Sequence, residues 1–294
     1  MRLCTFSDDG GSSTKLGMIA GERVLDVGKA AGRPLRDVGQ LVEEHQHLAL
    51  ATLLSRLVSL EAKAASEGAP LAAVELLAPV LRPPKITCLG INYKGHAAEQ
   101  KVELPKAPLL FAKARTSIAG PRGRIELEPG QEKVDYEVEL CLVVGRGGAR
   151  IPRERAREHL LGYTVACDVS DRGAQYGDKQ WYRGKSFPGF CPTGPVVLTA
   201  DATDAGALRL TTTLNGALLQ DGTTSDLIFG IDEIVAYVSR ATPLEPGDLI
   251  LTGTPAGVGV ARDPQVFLRP GDALECAIHG IGALRVEVVA GGAS

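Results

Sequence analysis

The chain has 294 residues, of which 44% are hydrophobic and 23% charged, and its formal net charge is −3. A chain of this size can bury a large core in one or two domains, and the slightly acidic balance excludes a non-specific nucleic-acid binder, since such proteins are usually strongly basic. No apolar run approaches the roughly 20 residues needed to cross a bilayer. The first ten residues contain Asp8 and Asp9 and lack the apolar stretch of a signal peptide. We therefore expect a cytoplasmic protein with no membrane partner.

The first 75 residues predict a small α/β domain. Residues 2–6 and 15–19 have the pattern of short strands around a Gly-Gly-Ser-Ser turn. Residues 41–65 contain no proline or glycine and carry leucines at helical spacing, which predicts one helix or two consecutive ones. Residues 67–81 resemble a linker into a second domain.

Residues 80–294 predict a second, mainly β domain. Short apolar runs rich in β-branched residues recur between glycines and prolines, which is typical of a sandwich or roll. The predicted strands cover 86–89, 134–144, 195–198, 208–214, 249–252, 273–278 and 284–289. Helices are expected at 152–161, with proline at a favoured first position, and at 232–239. The chain as a whole is predicted to be α+β and mainly β.

Several common nucleotide-binding and catalytic motifs are incomplete or absent in the sequence. The glycines at 145–148 lack the third glycine of a dinucleotide-binding loop, where Arg150 stands, and Lys179 occupies the position of the first P-loop glycine. No Gly-x-Ser-x-Gly elbow of a serine hydrolase is present. The six cysteines form no Cys-x-x-Cys pair, so we expect free, buried thiols rather than a zinc site.

Three carboxylates stand in apolar strands. Glu137 and Glu139 are two residues apart in the strand 134–144, so their side chains share a face. Two adjacent carboxylates repel unless a cation lies between them, although an exposed strand face explains this pair equally well. Asp168 ends another apolar run, 162–167, where a lone charge needs a partner. Three carboxylate oxygens suit a hard ion, Mg²⁺ or Mn²⁺, with Ca²⁺ as an alternative.

A candidate base lies near the start of the second domain. If a helical turn begins at Tyr93, His96 and Glu99 share a face, and a carboxylate that supports an imidazole makes a competent general base. Such pairs are also common on helix surfaces. Further along, Arg172, Gln175 and Lys185 have the chemistry to bind an anionic substrate or stabilise an enolate, although each fits a surface position as well.

Taken together, these segments resemble the fumarylacetoacetate hydrolase (FAH) superfamily, in a bacterial-type two-domain form. The resemblance covers roughly 85–289. It rests on Gly-Ile-Asn-Tyr-Lys-Gly-His-Ala-Ala-Glu at 90–99, Asp-Tyr-Glu-Val-Glu-Leu at 135–140, Arg-Gly-Lys-Ser-Phe at 183–187 and Thr-Gly-Thr-Pro-Ala-Gly-Val-Gly at 252–259. Pro-Leu-Leu-Phe-Ala-Lys at 108–113 and Asn215-Gly216 with Gln220 are further matches.

The resemblance implies a mixed β-roll catalytic domain, a homodimer and a Mg²⁺ or Mn²⁺ site. It implies metal ligands at Glu137, Glu139 and Asp168, a catalytic dyad of His96 and Glu99 on a mobile segment, and a charge-stabilising lysine at Lys185. It places Tyr93, Arg172, Gln175 and Thr254 near the substrate. Two departures stand out: Gly95 and Pro188 occupy positions where the family often has an acidic residue.

The predicted reaction is hydrolysis of a C–C bond in a small acylpyruvate-type 2,4-dioxo acid. His96, supported by Glu99, would activate water, and Lys185 would stabilise the developing enolate. Isomerisation of a 2-hydroxymuconate-type dienoate and decarboxylation of an oxaloacetate-type acid are alternatives on the same site. A non-enzymatic oxo-acid binding protein is a further alternative, although a binder has no need of a base opposite a metal.

Overall fold

The computed structural model describes residues 1–292. The α-helices in this part of the chain are α1 (Val27–Ala30), α2 (Val38–Glu44), α3 (Leu50–Glu67), α4 (Lys94–Glu99), α5 (Arg172–Gly177), α6 (Trp181–Gly184) and α7 (Ile231–Ala241). The strands are β1 (Arg2–Ser7), β2 (Lys15–Ala20), β3 (Arg23–Asp26), β4 (Ala69–Pro70), β5 (Glu75–Leu77), β6 (Ile86–Gly90), β7 (Leu109–Lys113), β8 (Ile118–Ala119), β9 (Arg124–Leu127), β10 (Val134–Asp135), β11 (Val138–Val144), β12 (Leu160–Cys167), β13 (Ser170–Asp171), β14 (Cys191–Thr199), β15 (Arg209–Leu214), β16 (Ala217–Thr223), β17 (Leu249–Leu251), β18 (Ala273–Ile278) and β19 (Gly282–Ala290). No helix within residues 1–292 has both the length and the apolar character that crossing a membrane would require.

Two sheets packed face to face form the core. The larger sheet has the order β4-β3-β2-β1-β14-β12-β11-β17-β6-β7, with β5 beside β1 and β8 beside β14, and the smaller has the order β16-β15-β18-β19-β9. Most pairs are antiparallel, while β6 with β17, β8 with β14 and β9 with β19 are parallel. The predicted α+β, mainly β class with a mixed β-roll or sandwich is confirmed.

Strand β11 is buried on both faces and connects the two halves of the core. Val138, Leu140 and Leu142 pack toward the smaller sheet, while Cys141 and Val143 belong to the apolar cluster formed with the leucines of α3. This alternation follows from the period of two along a strand. Glu139 therefore lies on the α3-facing side of an otherwise apolar strand. All six cysteines are free and buried, as predicted.

The N-terminal strands are continuous with the larger sheet. β1 pairs with β14 through Arg2 opposite Leu198, and the Met1 amino group donates a hydrogen bond to Thr199 Oγ1 over 2.7 Å. Residues 67–81, expected as a linker, instead contribute β4 and β5, which pair with β3 and β1. The division into domains 1–75 and 80–294 stays a prediction, but the strands of both parts share one sheet.

The two predicted helices of the second domain differ in outcome. The helix at 232–239 is confirmed as α7, whose Ile234, Val235 and Val238 are buried. The segment 152–161 forms a 3-10 helix over Arg153–His159 and then enters β12 at Leu160, so the prediction of an α-helix was wrong there. The reason is tertiary, because the apolar end of the segment pairs with β11 at Val144.

The order of β12, β11, β17 and β6 in the larger sheet brings one end of each of these strands to the same edge of the sheet. β11 begins where β12 ends, with Val138 opposite Cys167. The end of β17 pairs with β11 at Cys141, and the end of β6 lies on the other side of β17. Loops that leave these ends therefore meet over one edge of the sheet. Glu137 and Asp168 lie directly next to these strand ends, and Glu139 is the second residue of β11.

Gly162 tests the close packing of β12 against β14. A Cβ at this position would lie 2.1 Å from the Leu198 carbonyl oxygen, which backbone pairing holds in place. We expect Gly162→Ala to lower the free energy of unfolding by about 2 kcal/mol or more, as overpacking does. Urea unfolding followed by the fluorescence of Trp181, the sole tryptophan of the chain, measures it. Gly177→Ala, where nothing lies within 4 Å, is the control, and equal stability of the two variants would contradict the prediction.

Candidate active site

Three carboxylates meet at the sheet edge. Glu137 directly precedes β11, Glu139 is its second residue, and Asp168 directly follows β12. Their ligand oxygens all lie within 4.8 Å of one another, and all three residues are buried. The Asp168 amide donates to the Glu137 carbonyl oxygen over 2.8 Å, which fixes the two strand ends together. The structure thus brings the predicted ligand set together, and its role as a metal site stays a prediction.

Three cations accompany these acids. Lys185 Nζ donates to Glu137 Oε2 over 2.8 Å and to Asp168 Oδ2 over 2.6 Å. Lys113 Nζ donates to Asp168 Oδ1 over 2.6 Å, and Arg172 donates to Glu137 Oε1 over 2.6 Å. Burial alone would raise the pKa of Glu137, but the charges of Lys185 and Arg172 outweigh it and hold that pKa well below its ordinary value.

Glu139 has no such cation partner among the described residues. Its Oε2 accepts a hydrogen bond from the Gly253 amide over 2.5 Å. Burial, together with the charges of Asp168 and Glu137, raises the pKa of Glu139 well above its ordinary value. The negative charge of the cluster is therefore incompletely balanced at this carboxylate.

A divalent ion fits this donor set. All three candidate ligands offer carboxylate oxygens, which hard ions prefer, and each hydrogen-bonded oxygen keeps a second lone pair beside its lysine, arginine or backbone amide donor. The buried Tyr93 hydroxyl has no hydrogen-bond partner within residues 1–292, and burial and the Glu139 charge raise its pKa. An ion such as Mg²⁺ or Mn²⁺, with Ca²⁺ as the alternative, would balance the charge left at Glu139.

His96 and Glu99 form a dyad on α4. His96 Nδ1 lies 2.6 Å from Glu99 Oε1, and the Gly257 amide donates to Glu99 Oε2 over 2.7 Å. Because an ionised carboxylate only accepts hydrogen bonds, Nδ1 is the donor of this bond, and in the neutral imidazole this leaves the lone pair on Nε2. The pair predicted from its spacing is therefore oriented for base catalysis.

Backbone and side-chain contacts hold α4 over the site. Asn92 Oδ1 accepts from the Phe229 amide over 2.9 Å, and Asn92 Nδ2 donates to the Thr252 carbonyl over 2.8 Å. The Gly95 amide donates to Asp226 Oδ2 over 2.9 Å. An acidic side chain at position 95 would lie close to the Asp226 carboxylate and be repelled by it. The contact with Asp226 therefore explains why glycine is compatible with this position.

A cavity of about 150 Å³ lies beside the carboxylates. Its polar lining includes the predicted residues His96, Glu137, Arg172, Gln175, Lys185 and Thr254. Its apolar lining includes Phe111 and Trp181. Tyr93, expected near the substrate, lies outside this lining, because it precedes α4 in extended conformation and its ring is fully buried in the core.

Comparison with known proteins agrees with this architecture. Residues 85–289 match the family model described as fumarylacetoacetate (FAA) hydrolase C-terminal. The chain belongs to this family. It is 45% identical over 223 residues to oxaloacetate tautomerase FAHD2B, mitochondrial, of Bos taurus, covering 75% of this chain and 71% of that protein. The superfamily resemblance is thereby confirmed.

Two solved structures extend the comparison over nearly the whole chain. A putative HpcE protein from Mycobacterium smegmatis is 36% identical, with a TM-score of 0.86 over 99% of this chain and 100% of that one. Maleylpyruvate hydrolase from Sphingobium sp. SYK-6, in complex with manganese(II) ion and pyruvate, is 27% identical, with a TM-score of 0.81 over 99% and 100%. The relatives of this FAA hydrolase family member thus include enzymes named as tautomerase and hydrolase.

Two charged site residues were absent from the sequence prediction. Lys113 belongs to a segment that matches the family, but no role was predicted for it. Its ammonium group is fully buried and pairs with Asp168. Asp135 is fully buried and accepts from Arg172 Nη2 over 2.8 Å and from the Gly259 amide over 2.7 Å. Asp135 stands two residues before Glu137, so the period of two along the strand was a signal for it.

Glutamine replacements distinguish the roles of the two glutamates. Glu139→Gln removes an ionisable carboxyl group that has no cation partner among residues 1–292 but keeps an acceptor for the Gly253 amide. In a chelator we expect it to raise the free energy of unfolding by about 1 kcal/mol at neutral pH. Because the folded pKa of Glu139 is raised, the wild type loses stability as the pH rises above the ordinary range of a glutamate. The excess unfolding free energy of Glu139→Gln over the wild type should therefore grow as the pH rises, as measured by urea unfolding at several pH values.

Glu137→Gln is the matched comparison. It breaks ion pairs with Lys185 and Arg172, so we expect a loss of about 3 kcal/mol in the same chelator buffer. Both variants should bind Mn²⁺ more weakly than the wild type in electron paramagnetic resonance titrations. Wild-type Mn²⁺ affinity in either variant would contradict a role for that carboxylate as a ligand.

Proposed function

We propose that this protein is a divalent-metal-dependent enzyme that interconverts the enol and keto forms of a small 2-oxo dicarboxylic acid of the oxaloacetate class. The observation that carries the proposal is one cavity lined by an oriented base, His96, and by the cations Arg172 and Lys185, beside the carboxylate cluster. The relatives named as oxaloacetate tautomerases support the same reaction class.

The size of the cavity favours a short substrate. Its volume of about 150 Å³ is below the roughly 300–1,000 Å³ of pockets that hold drug-sized ligands. The apolar wall of Phe111 and Trp181 closes one side. A four-carbon dicarboxylate presents two anionic ends and little apolar surface, which suits a small cavity with two cations in its lining.

The residues of the chain supply the proton transfer. In the proposed reaction His96 Nε2 takes a proton from C3 of the keto form and leaves an enolate, whose oxygen takes a proton from solvent to give the enol. Glu99 stabilises the imidazolium, which then releases its proton to solvent; the reverse steps return the keto form. Arg172 and Lys185 attract the substrate carboxylates and the charge that develops on the 2-oxo oxygen. A divalent ion held by Glu137, Glu139 and Asp168 would supply Lewis-acid polarisation of the substrate oxygens.

Hydrolysis of a C–C bond in an acylpyruvate is the second candidate. The dyad supports it, because an imidazole with a free Nε2 can also activate water. The similarity to maleylpyruvate hydrolase supports it as well. Proton transfer at C3 without an attacking water makes smaller demands on space, which favours tautomerisation in a cavity of this size.

The deciding assay follows three substrates with Mg²⁺ or Mn²⁺ present. Tautomerisation of oxaloacetate removes the enol absorbance without releasing a product, whereas hydrolysis of an acylpyruvate releases pyruvate and a second acid. We expect the first activity, its loss in a chelator, and its return with Mg²⁺ or Mn²⁺. A ring-cleavage dienoate serves as the isomerase substrate. Turnover of the acylpyruvate or the dienoate without tautomerisation of oxaloacetate, or no turnover of any of the three in the metal-loaded protein, would refute the proposal.

Glu99→Gln tests the dyad. Glu99 uses both oxygens as acceptors, for His96 and for the Gly257 amide, and glutamine has only one acceptor oxygen. We therefore expect kcat to fall about 10²-fold to 10⁴-fold, the range of general base catalysis. His96→Asn should show a similar loss. His47→Asn, at an exposed position outside the site, is the control, and full activity in both dyad variants would show that His96 is not the base.

A further inference from the structure

A second open space adjoins the catalytic cavity. It is a groove of about 340 Å³ bounded by the start of β7 and the segment leading into α6. Its lining residues are Leu109, Leu110, Phe111, Ala112, Lys179, Gln180, Trp181 and Tyr182. Phe111 and Trp181 also line the 150 Å³ cavity, so these two side chains form the wall that the two spaces share.

The shared wall is held in place from several directions. The rings of Phe111 and Trp181 meet edge to face, with centroids 5.1 Å apart and planes at 71°. A Cβ at Gly90 would lie 2.7 Å from Trp181 Cζ3, so the indole packs directly on the backbone at the end of β6. Lys185 Nζ lies 5.0 Å from the centroid of the Phe111 ring, an additional attraction between a cation and an aromatic face.

The groove has a defined chemistry. Apolar side chains form most of its lining, and Lys179 is the one charged residue among the lining residues. No carboxylate belongs to that lining. The groove therefore suits an apolar chain or one that ends in an acid, and it disfavours a cationic chain.

We propose that Trp181 determines the substrate length of this enzyme, and that the groove is a distal subsite which the indole separates from the reacting centre. The inference rests on the proposed function, since it concerns the 2-oxo acid whose C3 proton His96 exchanges. In the wild-type protein the indole confines the substrate to the small cavity. Removal of the indole joins the two spaces, and the tail of a longer 2-oxo acid then occupies the groove.

The test measures exchange of C3 hydrogens with deuterium oxide by proton NMR, which follows His96 chemistry whatever the final product is. The substrates are 2-oxo dicarboxylates with chains of four to seven carbons, with Mg²⁺ present. We expect Trp181→Ala to raise the ratio of kcat/KM for the longest acid over the shortest by about 10-fold or more, the scale of apolar pocket discrimination. Trp181→Leu should give a smaller increase.

Tyr182→Ala is the matched control. Tyr182 lines the groove but not the cavity and is more exposed than Trp181, so its removal enlarges the groove without opening the wall. We expect no change in the length ratio for this variant. An equal increase in Tyr182→Ala and Trp181→Ala would overturn the assignment of length control to Trp181.

The results distinguish failure of the role of Trp181 in substrate length from failure of the proposed function. Exchange of the short acid by the wild type, with an unchanged length ratio in both Trp181 variants, refutes the inference and leaves the proposed function intact. Absence of exchange with every acid in the wild type refutes the proposed function itself. Far-ultraviolet circular dichroism and thermal unfolding identify a variant that has failed to fold, and Trp181→Leu, which retains an apolar side chain, then supplies the ratio.

Discussion

A buried ionic cluster at the edge of the larger sheet is the constraint on which the site depends. Four acids, Asp135, Glu137, Glu139 and Asp168, meet three cations, Lys113, Arg172 and Lys185, and all seven residues are buried. Removing charges from water costs several kcal/mol per ion, so such a cluster persists only where every member is paired or hydrogen-bonded. One acid exceeds the cations, and Glu139 is the member without a cation partner among residues 1–292. That imbalance is the structural support for the proposed metal site.

The same requirement explains the glycines of segment 252–259, one of the segments that carry the family resemblance. Its backbone amides donate hydrogen bonds to three separate carboxylates: Gly253 donates to Glu139, Gly257 to Glu99 and Gly259 to Asp135. Gly257 has a φ of 104°, and a Cβ there would lie 2.2 Å from the Leu219 carbonyl oxygen. A side chain at position 257 would therefore clash with the Leu219 backbone and prevent the segment from lying close enough to donate to the carboxylates. One loop thus connects the candidate metal ligands to the candidate base.

Much of this site could be predicted because its signals are local. Glu137 and Glu139 follow the period of two in a strand, and His96 and Glu99 follow the spacing of a helical turn. Lys113 could not be found in this way, because a lysine at a strand end is usually exposed and its burial depends on Asp168, 55 residues later. The direction of the Tyr93 ring is likewise set by packing. Packing is also the reason that the α-helix predicted at 152–161 was wrong, because Leu160 pairs with β11 as part of a strand.

The insertion of β1 beside β14 has a consequence for how the chain acquires its structure. The Met1 amino group and Thr199 are 198 residues apart in sequence, yet they are joined directly. Contacts between such distant residues are slow to form because a long loop must close first. During synthesis from the amino terminus, the edge of β1 at Arg2 and Leu3 stays unpaired until β14 has emerged. Holdase chaperones that cover exposed strand edges should therefore improve the yield of native protein.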